Sequence, residues 1–359
     1  MTEPLLHSPA NGPLTNGVLG LSNTEMGQWK RCPRRWFVEH YLGFLPADEK
    51  PFGKRQLGIR MHTALEGWYG PRSIDPKIVL DLIYNAEITA HPDDEKELRA
   101  EWELAILMAT GYLDWVQNEN ADATLQVVAV EQEVAVPLPG FEGRVALRCK
   151  MDQIGLDTAT GYFHFIDHKT VENFERVHML RMDPQMKTYN LVQWLKAGYP
   201  PPQPGVMPQI RPDAPLVLGG QVNMLRRIKR SARAKPPFYE RSDPFRYGPD
   251  SMAATLAGIQ QVAYEILQAR AALDQAYAAG GTVEAINHVQ RTICRPVEIM
   301  HDCSWSCPHA GGLCIMMSDG SDWAGVLEES GRYVRADPYD RYNRGGLEAI
   351  QAQAGRQQQ

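Results

Sequence analysis

Three side chains of the sequence are of the types that carry out phosphodiester chemistry: Asp152, Asp167 and Lys169. Asp152 lies near the end of segment 144–156, and the other two end segment 162–169. Both segments have the β-branched and aromatic composition of strands. Because side chains alternate along a strand, Asp167 and Lys169 project to one face. A hairpin of the two strands would therefore bring two carboxylates and one ammonium group together.

This combination of side chains suits metal-dependent hydrolysis of a phosphodiester. Such hydrolysis uses Mg²⁺ or Mn²⁺ to polarise the phosphate and to lower the pKa of the attacking water. Mg²⁺ prefers oxygen ligands and takes one or two protein carboxylates, and a nearby lysine orients the water and stabilises negative charge. The alternative is a surface ion pair, since one Asp-x-Lys is expected by chance in a chain of this charge content.

The hydrophobic pattern predicts the elements that position these residues. Helical spacing is found at 24–42, where Ser22 and Thr24 are candidate caps, at 56–69, 182–197 and 250–280, and in two stretches between 77 and 119. Strand patterns are found at 125–136, 144–156, 162–169 and 215–228. This order of helices, three strands, helix, strand and helix indicates an α/β core with helical additions.

Composition narrows the functional classes. The chain has 359 residues and a formal net charge of -6, so any nucleic-acid site must be a local basic groove. No apolar run approaches the roughly 18 residues of a membrane helix. The first twenty residues lack the features of a signal peptide. We therefore expect a protein of the reducing cytoplasm, where clustered cysteines bind metals more often than they form disulfides.

Four short runs resemble the PD-(D/E)XK nuclease superfamily in its RecB-like branch. In that branch a strand Asp precedes an Asp/Glu-x-Lys, and a Gln-x-x-x-Tyr helix follows, as in the runs KMDQIG, GYFHFIDHKT and QMKTYNLVQWL. Gln185 and Tyr189 are four residues apart and share one helix face. The run GIRMHTALE matches the helix of that branch that supplies a histidine, here His62.

The resemblance implies a role for each matching residue. It implies that a histidine, two carboxylates and one backbone carbonyl hold Mg²⁺ or Mn²⁺, namely those of His62, Asp152, Asp167 and His168. Lys169 would be the catalytic lysine, and Gln185 and Tyr189 would line the site. Glu131 matches an acidic position that often precedes the catalytic strands, and Glu133 is an equally available alternative.

The resemblance also implies a fold and a division of the chain. The expected core is restriction-endonuclease-like, with a mixed central sheet flanked by helices and with helical N-terminal and C-terminal additions joined by a metal cluster. Along the sequence we expect a flexible tail (1–20), a helical region with Cys32 and His62 (21–120), the nuclease core (121–230), a helical region with clustered cysteines (231–330) and a disordered tail (331–359).

The cysteines form a second constellation. Cys303, Cys307 and Cys314 have the spacing C-x3-C-x6-C, and with the remote Cys32 they could complete a four-sulfur metal site. Zinc with a substituting His301 or His309, or a set of unmetallated thiols, remains open. Cys149 and Cys294 have the character of small core residues.

The same arrangement resembles a subset of RecB-like nucleases that includes CRISPR-associated exonucleases and AddB-type subunits. There, one N-terminal and three C-terminal cysteines bind a 4Fe-4S cluster. The run Cys32-Pro33-Arg34-Arg35-Trp36 matches that pattern, whereas each gap in the C-terminal set is one residue longer than the common C-x2-C-x5-C. The resemblance implies a structural cluster that closes a long chain loop.

Two basic segments are candidate DNA contacts. The first follows the strand at 215–228 and the second adjoins Cys32, and together they supply Arg226, Arg227, Lys229, Arg230, Arg34 and Arg35. The alternative for the first segment is a solvated loop.

The predicted function is that of a divalent-metal-dependent deoxyribonuclease, more an exonuclease than an endonuclease, acting on single-stranded DNA or DNA ends in a bacterial cell or a phage-infected host. The chain has no G-x-x-x-x-G-K-[ST] motif, so a helicase or recombination partner would be a separate chain. The alternative is an iron–sulfur or zinc accessory subunit that binds DNA beside such a helicase and cleaves little or none itself.

Overall fold

The protein is described by a computed structural model that covers residues 14–15, 18–48, 50–211, 215–229, 233–281, 283–297, 303–304 and 307–336. Most of the predicted tails, together with Arg230 and His301, lies outside these residues. The chain forms two compact units. The terminal unit comprises the described residues of Met1–Glu49, Ala135–Arg148 and Leu256–Asn343, and the central unit those of Lys50–Val134 and Cys149–Thr255.

The described strands are β1 (Leu14–Thr15), β2 (Val18–Ser22), β3 (Phe44–Pro46), β4 (Leu125–Pro137), β5 (Val145–Asp157), β6 (Tyr162–Val171), β7 (Val217–Arg226), β8 (Tyr239–Arg241), β9 (Phe245–Arg246) and β10 (Tyr333–Arg335). The four predicted strands are confirmed as β4 to β7. The short strands β8, β9 and β10 lack a detectable alternation pattern, since each spans only two or three residues.

The described helices are α1 (Asn23–Arg31), α2 (Pro33–Trp36), a π-helical turn (Phe37–Tyr41), α3 (Lys54–Tyr69), α4 (Pro76–Ala90), a 3-10 turn (Pro92–Asp94), α5 (Glu95–Asn118), α6 (Val177–Met182), α7 (Pro184–Lys196), α8 (Pro249–Ala278), α9 (Val283–Thr292), α10 (Leu313–Asp319) and α11 (Trp323–Glu329). The helices predicted at 56–69, between 77 and 119, at 182–197 and at 250–280 are confirmed. None of the described helices is both long and apolar enough to span a membrane.

The single helix predicted at 24–42 is wrong, because the chain breaks at Cys32. This residue adopts φ -161° and ψ 100° between α1 and α2, and Pro33 starts the second helix. A residue before proline is driven out of the helical region by the proline ring, while proline itself fits the first helical position. The side chain of Ser22 caps α1 by accepting a hydrogen bond from the N–H of Glu25 (3.2 Å).

In the central unit a mixed sheet carries the candidate catalytic residues. Strand β6 pairs antiparallel with β5 (Gln153↔Ile166) and parallel with β7 (Asp167↔Val222), and β7 pairs antiparallel with β8 and β9. Because β6 lies between two partners, its backbone groups are satisfied on both sides and its middle is buried. The apolar run before Asp167 is therefore a core strand, as its composition indicated.

Helices of the central unit pack on this sheet. Residues of α3, α4, α5, β7 and β8 share one hydrophobic cluster: Leu57, Met61, Ala64, Leu65, Leu80, Ala105, Met108, Ala109, Tyr112, Leu225 and Tyr239. Helix α7 contacts β7. The cluster fixes α3 against the sheet and thereby fixes the position of its polar residues.

In the terminal unit the first four residues of β5 pair parallel with β2, from Leu19↔Val145 to Ser22↔Arg148, and β10 pairs antiparallel with β3. Aromatic residues form much of its core. The rings of Trp36 and Trp29 lie 4.9 Å apart edge to face, and Phe37 packs against Trp323 at 6.0 Å.

Candidate metal centre

The pairing of β5 and β6 brings two nearly buried aspartates of the central unit to one place. Asp152 is 7% exposed and Asp167 is 2% exposed. The backbone N–H of His168 donates to Oδ2 of Asp152 over 2.7 Å, so the Asp152 carboxylate lies directly beside the end of β6. The convergence predicted from strand alternation is present in the fold.

A histidine and a glutamate complete a group of potential metal ligands. The ligand atoms of His62, Glu131 and Asp152 all lie within 4.8 Å of one another, and this is the one group of its kind among the described residues. Nδ1 of His62 lies 3.2 Å from Oδ1 of Asp152, and the His62 side chain is 33% exposed, which leaves the group open to solvent. His62 lies on helix α3, directly after the buried Met61.

Glu131 has an unusual backbone for a strand residue. Its φ is +48°, in the left-handed region that a non-glycine residue rarely adopts, although it lies inside β4. Its carboxylate pairs with Nζ of Lys150 at 2.7 Å. Glu133, the alternative named from the sequence, is exposed. Of the two glutamates, Glu131, whose backbone is left-handed, is therefore the one whose carboxylate belongs to the ligand group.

Two carboxyl groups of the site resist ionisation. Burial and the charge of Asp152 raise the pKa of Asp167 to about 7, and the same two causes raise the pKa of Glu131 to about 7. Burial opposes the charged form of His62, but the neighbouring Asp152 outweighs it and raises the pKa of His62 to about 10. A cation placed among these carboxylates would relieve their repulsion.

Lys169 contacts two carboxylates. Its Nζ lies 2.6 Å from Oδ2 of Asp183 and 3.8 Å from Oδ2 of Asp167. Burial lowers the pKa of Lys169, but the two aspartates outweigh it and the net shift is upward, so the side chain is an ammonium group. Together His62, Glu131, Asp152, Asp167 and Lys169 are called the carboxylate–lysine site below.

Helix α7 closes one side of this site. The side-chain amide of Gln185 contacts Oδ1 of Asp167 (3.5 Å) and donates to the hydroxyl of Tyr189 (2.6 Å). That hydroxyl in turn donates to the carbonyl oxygen of Lys150 on β5 (2.8 Å). The pair predicted to share one helix face therefore links the helix to both strands.

The His168 side chain points away from the carboxylates into a polar network. Its ring stacks on Tyr69 at 5.8 Å, and its Nδ1 lies 3.2 Å from the amide nitrogen of Asn223. Asn223 accepts from Arg241 (2.6 Å), which pairs with Asp122 (2.6 Å). Burial lowers the pKa of His168 to about 4, so the ring is neutral and serves as an anchor for the end of β6.

The terminal unit holds a separate pocket of sulfur ligands, called the cysteine pocket below. It is lined by Cys32, Arg34, Arg35, Val38, Cys307, His309, Cys314 and Met317. The guanidinium of the buried Arg34 donates to the carbonyl oxygen (3.0 Å) and the Sγ (3.4 Å) of Cys314. The fold thus brings together three of the four predicted cysteine ligands.

The remaining cysteines lie elsewhere in the described chain. Cys303 does not line the described part of the pocket, and its Sγ lies 4.0 Å from the carbonyl oxygen of Val297. Cys149 and Cys294 are buried. His309, one alternative ligand, contacts Glu39 through Nε2 at 2.9 Å.

The basic candidates differ in how the fold uses them. Arg226 donates to the carbonyl oxygens of Lys235 (3.2 Å) and Pro237 (3.0 Å), and Arg227 pairs with Glu172 (3.3 Å). Arg35 pairs with Glu39 at 2.7 Å, and Arg34 is committed to the cysteine pocket. Lys229 is exposed. A DNA contact stays a prediction for all five described candidates, of which Lys229 is the exposed one.

Two residues of the site were missed in the sequence. Asp183 caps α7, and a signal for it existed, because an Asp followed by Pro at the start of a predicted helix is typical of an N-cap. Lys150 lies two residues before Asp152, on the same strand face; this spacing was a signal for its place, but no signal pointed to its pairing with Glu131.

Comparison with known families agrees with this geometry. The family model of the PD-(D/E)XK nuclease superfamily matches residues 20–310. The chain therefore belongs to this superfamily. No curated protein is similar enough to count as a relative of the chain.

Proposed function

We propose that this member of the superfamily is a divalent-metal-dependent deoxyribonuclease, an exonuclease that hydrolyses phosphodiester bonds in single-stranded DNA or at DNA ends. Superfamily membership supports a nuclease that binds DNA. The observation that carries the proposal is the group of His62, Glu131 and Asp152 beside Asp167 and Lys169. Preference for ends over internal bonds is carried over from the RecB-like resemblance.

The ligand set fits a hard divalent cation. Burial, together with the charge of Asp152, raises the pKa values of Asp167 and Glu131, and such a site favours bound positive charge. We propose that His62, Asp152, Asp167 and the backbone carbonyl of His168 hold Mg²⁺ or Mn²⁺. When bound, the cation polarises the phosphate and lowers the pKa of a water molecule.

The residues around the cation have distinct tasks in this proposal. The Lys169 ammonium group lies 3.8 Å from Asp167 and would stabilise the negative charge that develops on the phosphate oxygens. Gln185, in contact with both Asp167 and Tyr189, would orient the aspartate and the incoming phosphate. Glu131 would assist through its place in the ligand group.

For the cysteines we propose a structural 4Fe-4S cluster held by Cys32, Cys303, Cys307 and Cys314, with zinc as the alternative. Three of these residues line one pocket, and Arg34 donates to the sulfur of one of them, Cys314.

The proposed setting is the cytoplasm, with a separate helicase or recombination protein as partner. The sequence has no G-x-x-x-x-G-K-[ST] motif, so strand separation would be the task of another chain. This part of the proposal rests on the resemblance and on the absence of that motif from the sequence.

The deciding experiment incubates the purified chain with end-labelled single-stranded and duplex DNA in Mn²⁺, Mg²⁺ or EDTA. We expect short labelled products with either metal and none in EDTA. Asp167→Ala and Lys169→Ala should abolish cleavage, whereas Asp114→Asn, an exposed aspartate on α5, should leave it intact. Metal-dependent DNA binding without any turnover would instead favour an accessory subunit.

A further inference from the structure

Asp183 uses its two carboxylate oxygens for two different contacts. Oδ1 accepts a hydrogen bond from the backbone N–H of Gln185 (2.8 Å), which caps α7. Oδ2 accepts from Nζ of Lys169 over 2.6 Å. The same carboxylate therefore caps the helix and binds the lysine.

From this arrangement we propose that Asp183 is a positioning residue for the reaction, which holds the Lys169 ammonium group off the carboxylate of Asp167. The proposal rests on the function proposed above. Capping a helix does not require a contact with a lysine, so the proposal gives Asp183 a second role, in catalysis.

The distances show why such a residue is needed. Lys169 and Asp167 are two residues apart on one face of β6, so without a competitor their side chains would form a direct ion pair. In the fold Nζ is 3.8 Å from Asp167 but 2.6 Å from Asp183. The stronger contact therefore draws the ammonium group toward α7 and leaves the oxygens of Asp167 available to a cation.

The rigidity of α7 makes this placement reproducible. Pro184 occupies the first helical position and Gln185, in the same turn, reaches Asp167, while Tyr189 one turn later donates to the Lys150 carbonyl oxygen. Asp183 is thus fixed to a turn that is itself tied to β5 and β6. A lysine held by such a group loses less freedom when substrate binds.

The chain offers a closely matched control in Asp75. It also precedes a proline, caps α4 by accepting from the N–H of Lys77 (2.8 Å), and has φ -54° and ψ 122° against -57° and 121° for Asp183. The Nζ of Lys77 pairs with Asp81 instead. The two caps therefore share their backbone geometry; Asp75 is exposed, whereas Asp183 is half-buried and holds Lys169.

The test compares Asp183→Asn with Asp75→Asn, because asparagine keeps the cap and removes the charge. Both variants should melt within a few degrees of the wild type. Asp183→Asn should lower kcat about 10- to 100-fold with an unchanged KM for DNA, and should weaken Mn²⁺ binding to the DNA-free chain, measured by the EPR signal of free Mn²⁺, by a similar factor. Asp75→Asn should change neither, and Asp183→Glu should restore part of kcat.

The outcomes separate this inference from the function on which it rests. If the wild type never cleaves DNA, the proposed function fails. If the wild type cleaves and Asp183→Asn keeps kcat and Mn²⁺ affinity within twofold, Asp183 is a cap and the inference is overturned. A melting loss far beyond that of Asp75→Asn, with kcat per folded molecule unchanged, would overturn it equally.

Discussion

The carboxylate–lysine site and the cysteine pocket are assembled from opposite kinds of ligand. The first gathers buried oxygen ligands whose negative charges repel one another, since Asp152 and burial together raise the pKa of Asp167 to about 7. The second gathers thiols beside the guanidinium of Arg34. Oxygen ligands suit Mg²⁺ or Mn²⁺, whereas thiolates suit iron–sulfur clusters or zinc.

The two sites also differ in how their charged groups affect the stability of the fold. In the carboxylate–lysine site the pKa values of Asp167 and Glu131 are raised to about 7, so the charges of these two residues oppose folding, a cost that functional sites commonly carry. In the terminal unit the charges next to the cysteine pocket are paired, as in the contacts of Glu39 with Arg35 and His309. Loss of a ligand should therefore abolish activity in the first region and reduce stability in the second.

The largest effect is expected for Asp167→Asn. Burial and the charge of Asp152 raise the pKa of Asp167 to about 7, so the charge of Asp167 opposes folding, and asparagine can still accept from the Gln185 amide. Cleavage with Mn²⁺ should fall at least about 10³-fold while the metal-free melting temperature stays equal or rises. Nuclease assays and thermal melts in EDTA measure the two effects. A large drop in the melting temperature would show that the carboxylates of this site stabilise the fold, against the comparison.

For Cys307→Ser we expect a loss of bound iron and of stability. Iron bound per chain should fall by more than half, and the melting temperature should drop by about 5 °C or more, because a structural metal contributes directly to folding. Cys294→Ala, at a buried cysteine of the same unit outside the pocket, is the control and should keep its iron. An equal iron content in both variants would show that the cysteine pocket does not hold the proposed cluster. Stoichiometric zinc in the purified protein would support the zinc alternative.

Local pattern was enough to predict most of the central unit. Composition and periodicity predict the two strands that carry Asp152 and Asp167 and the helix that carries Gln185. The spacing of these elements predicts that their polar residues lie close together. The structure brings these residues together in the predicted order. The Asp-Pro signal of Asp183 predicts a helix cap, as it does for Asp75, but not the contact with Lys169.

Other features depend on contacts that no local pattern encodes. The left-handed backbone of Glu131 and the pairing of β2 with the start of β5 (Leu19↔Val145) are set by distant parts of the chain. The proline after Cys32 indicated a break in the helix. Apolar residues have helical spacing on both sides of this break, and for that reason a single helix was predicted. Burial of Arg34 was hidden because its partner Cys314 lies 280 residues away.

A smaller effect is expected when the charge pairing beside the cysteine pocket is removed. Burial disfavours the charged form of Glu39, but hydrogen bonds from His309, Arg35 and Gln28 outweigh it and lower its pKa from 4.5 to about 2. A lowered carboxylate pKa stabilises the fold above the unfolded value, and the contribution is lost as pH falls through 4.5 toward 2. Its upper limit is about 3 kcal/mol.

Glu39→Gln should therefore lower the free energy of unfolding at pH 6 and have less than half that effect at pH 3. Urea unfolding at both pH values measures the difference, with Glu133→Gln, an exposed glutamate, as the control. A pH-independent loss would mean that packing, not charge pairing, gives Glu39 its contribution, and the contrast between the two regions would weaken.

The smallest effect is expected at Lys229, which lies outside both sites on the segment that follows β7 and is exposed. A lysine that contacts one phosphate contributes through counterion release, so Lys229→Ala should weaken DNA binding a few-fold at about 0.15 M salt and reduce the slope of log affinity against log salt by about 0.7 to 0.9. Because it touches no ligand group, kcat at saturating DNA and the melting temperature should stay unchanged. Lys96→Ala, an exposed lysine on α5, makes the same change in net charge and should leave the slope intact. Equal slopes for the two variants would show that the segment after β7 is a solvated loop, and the phosphate contacts would then have to be sought nearer the carboxylate–lysine site itself.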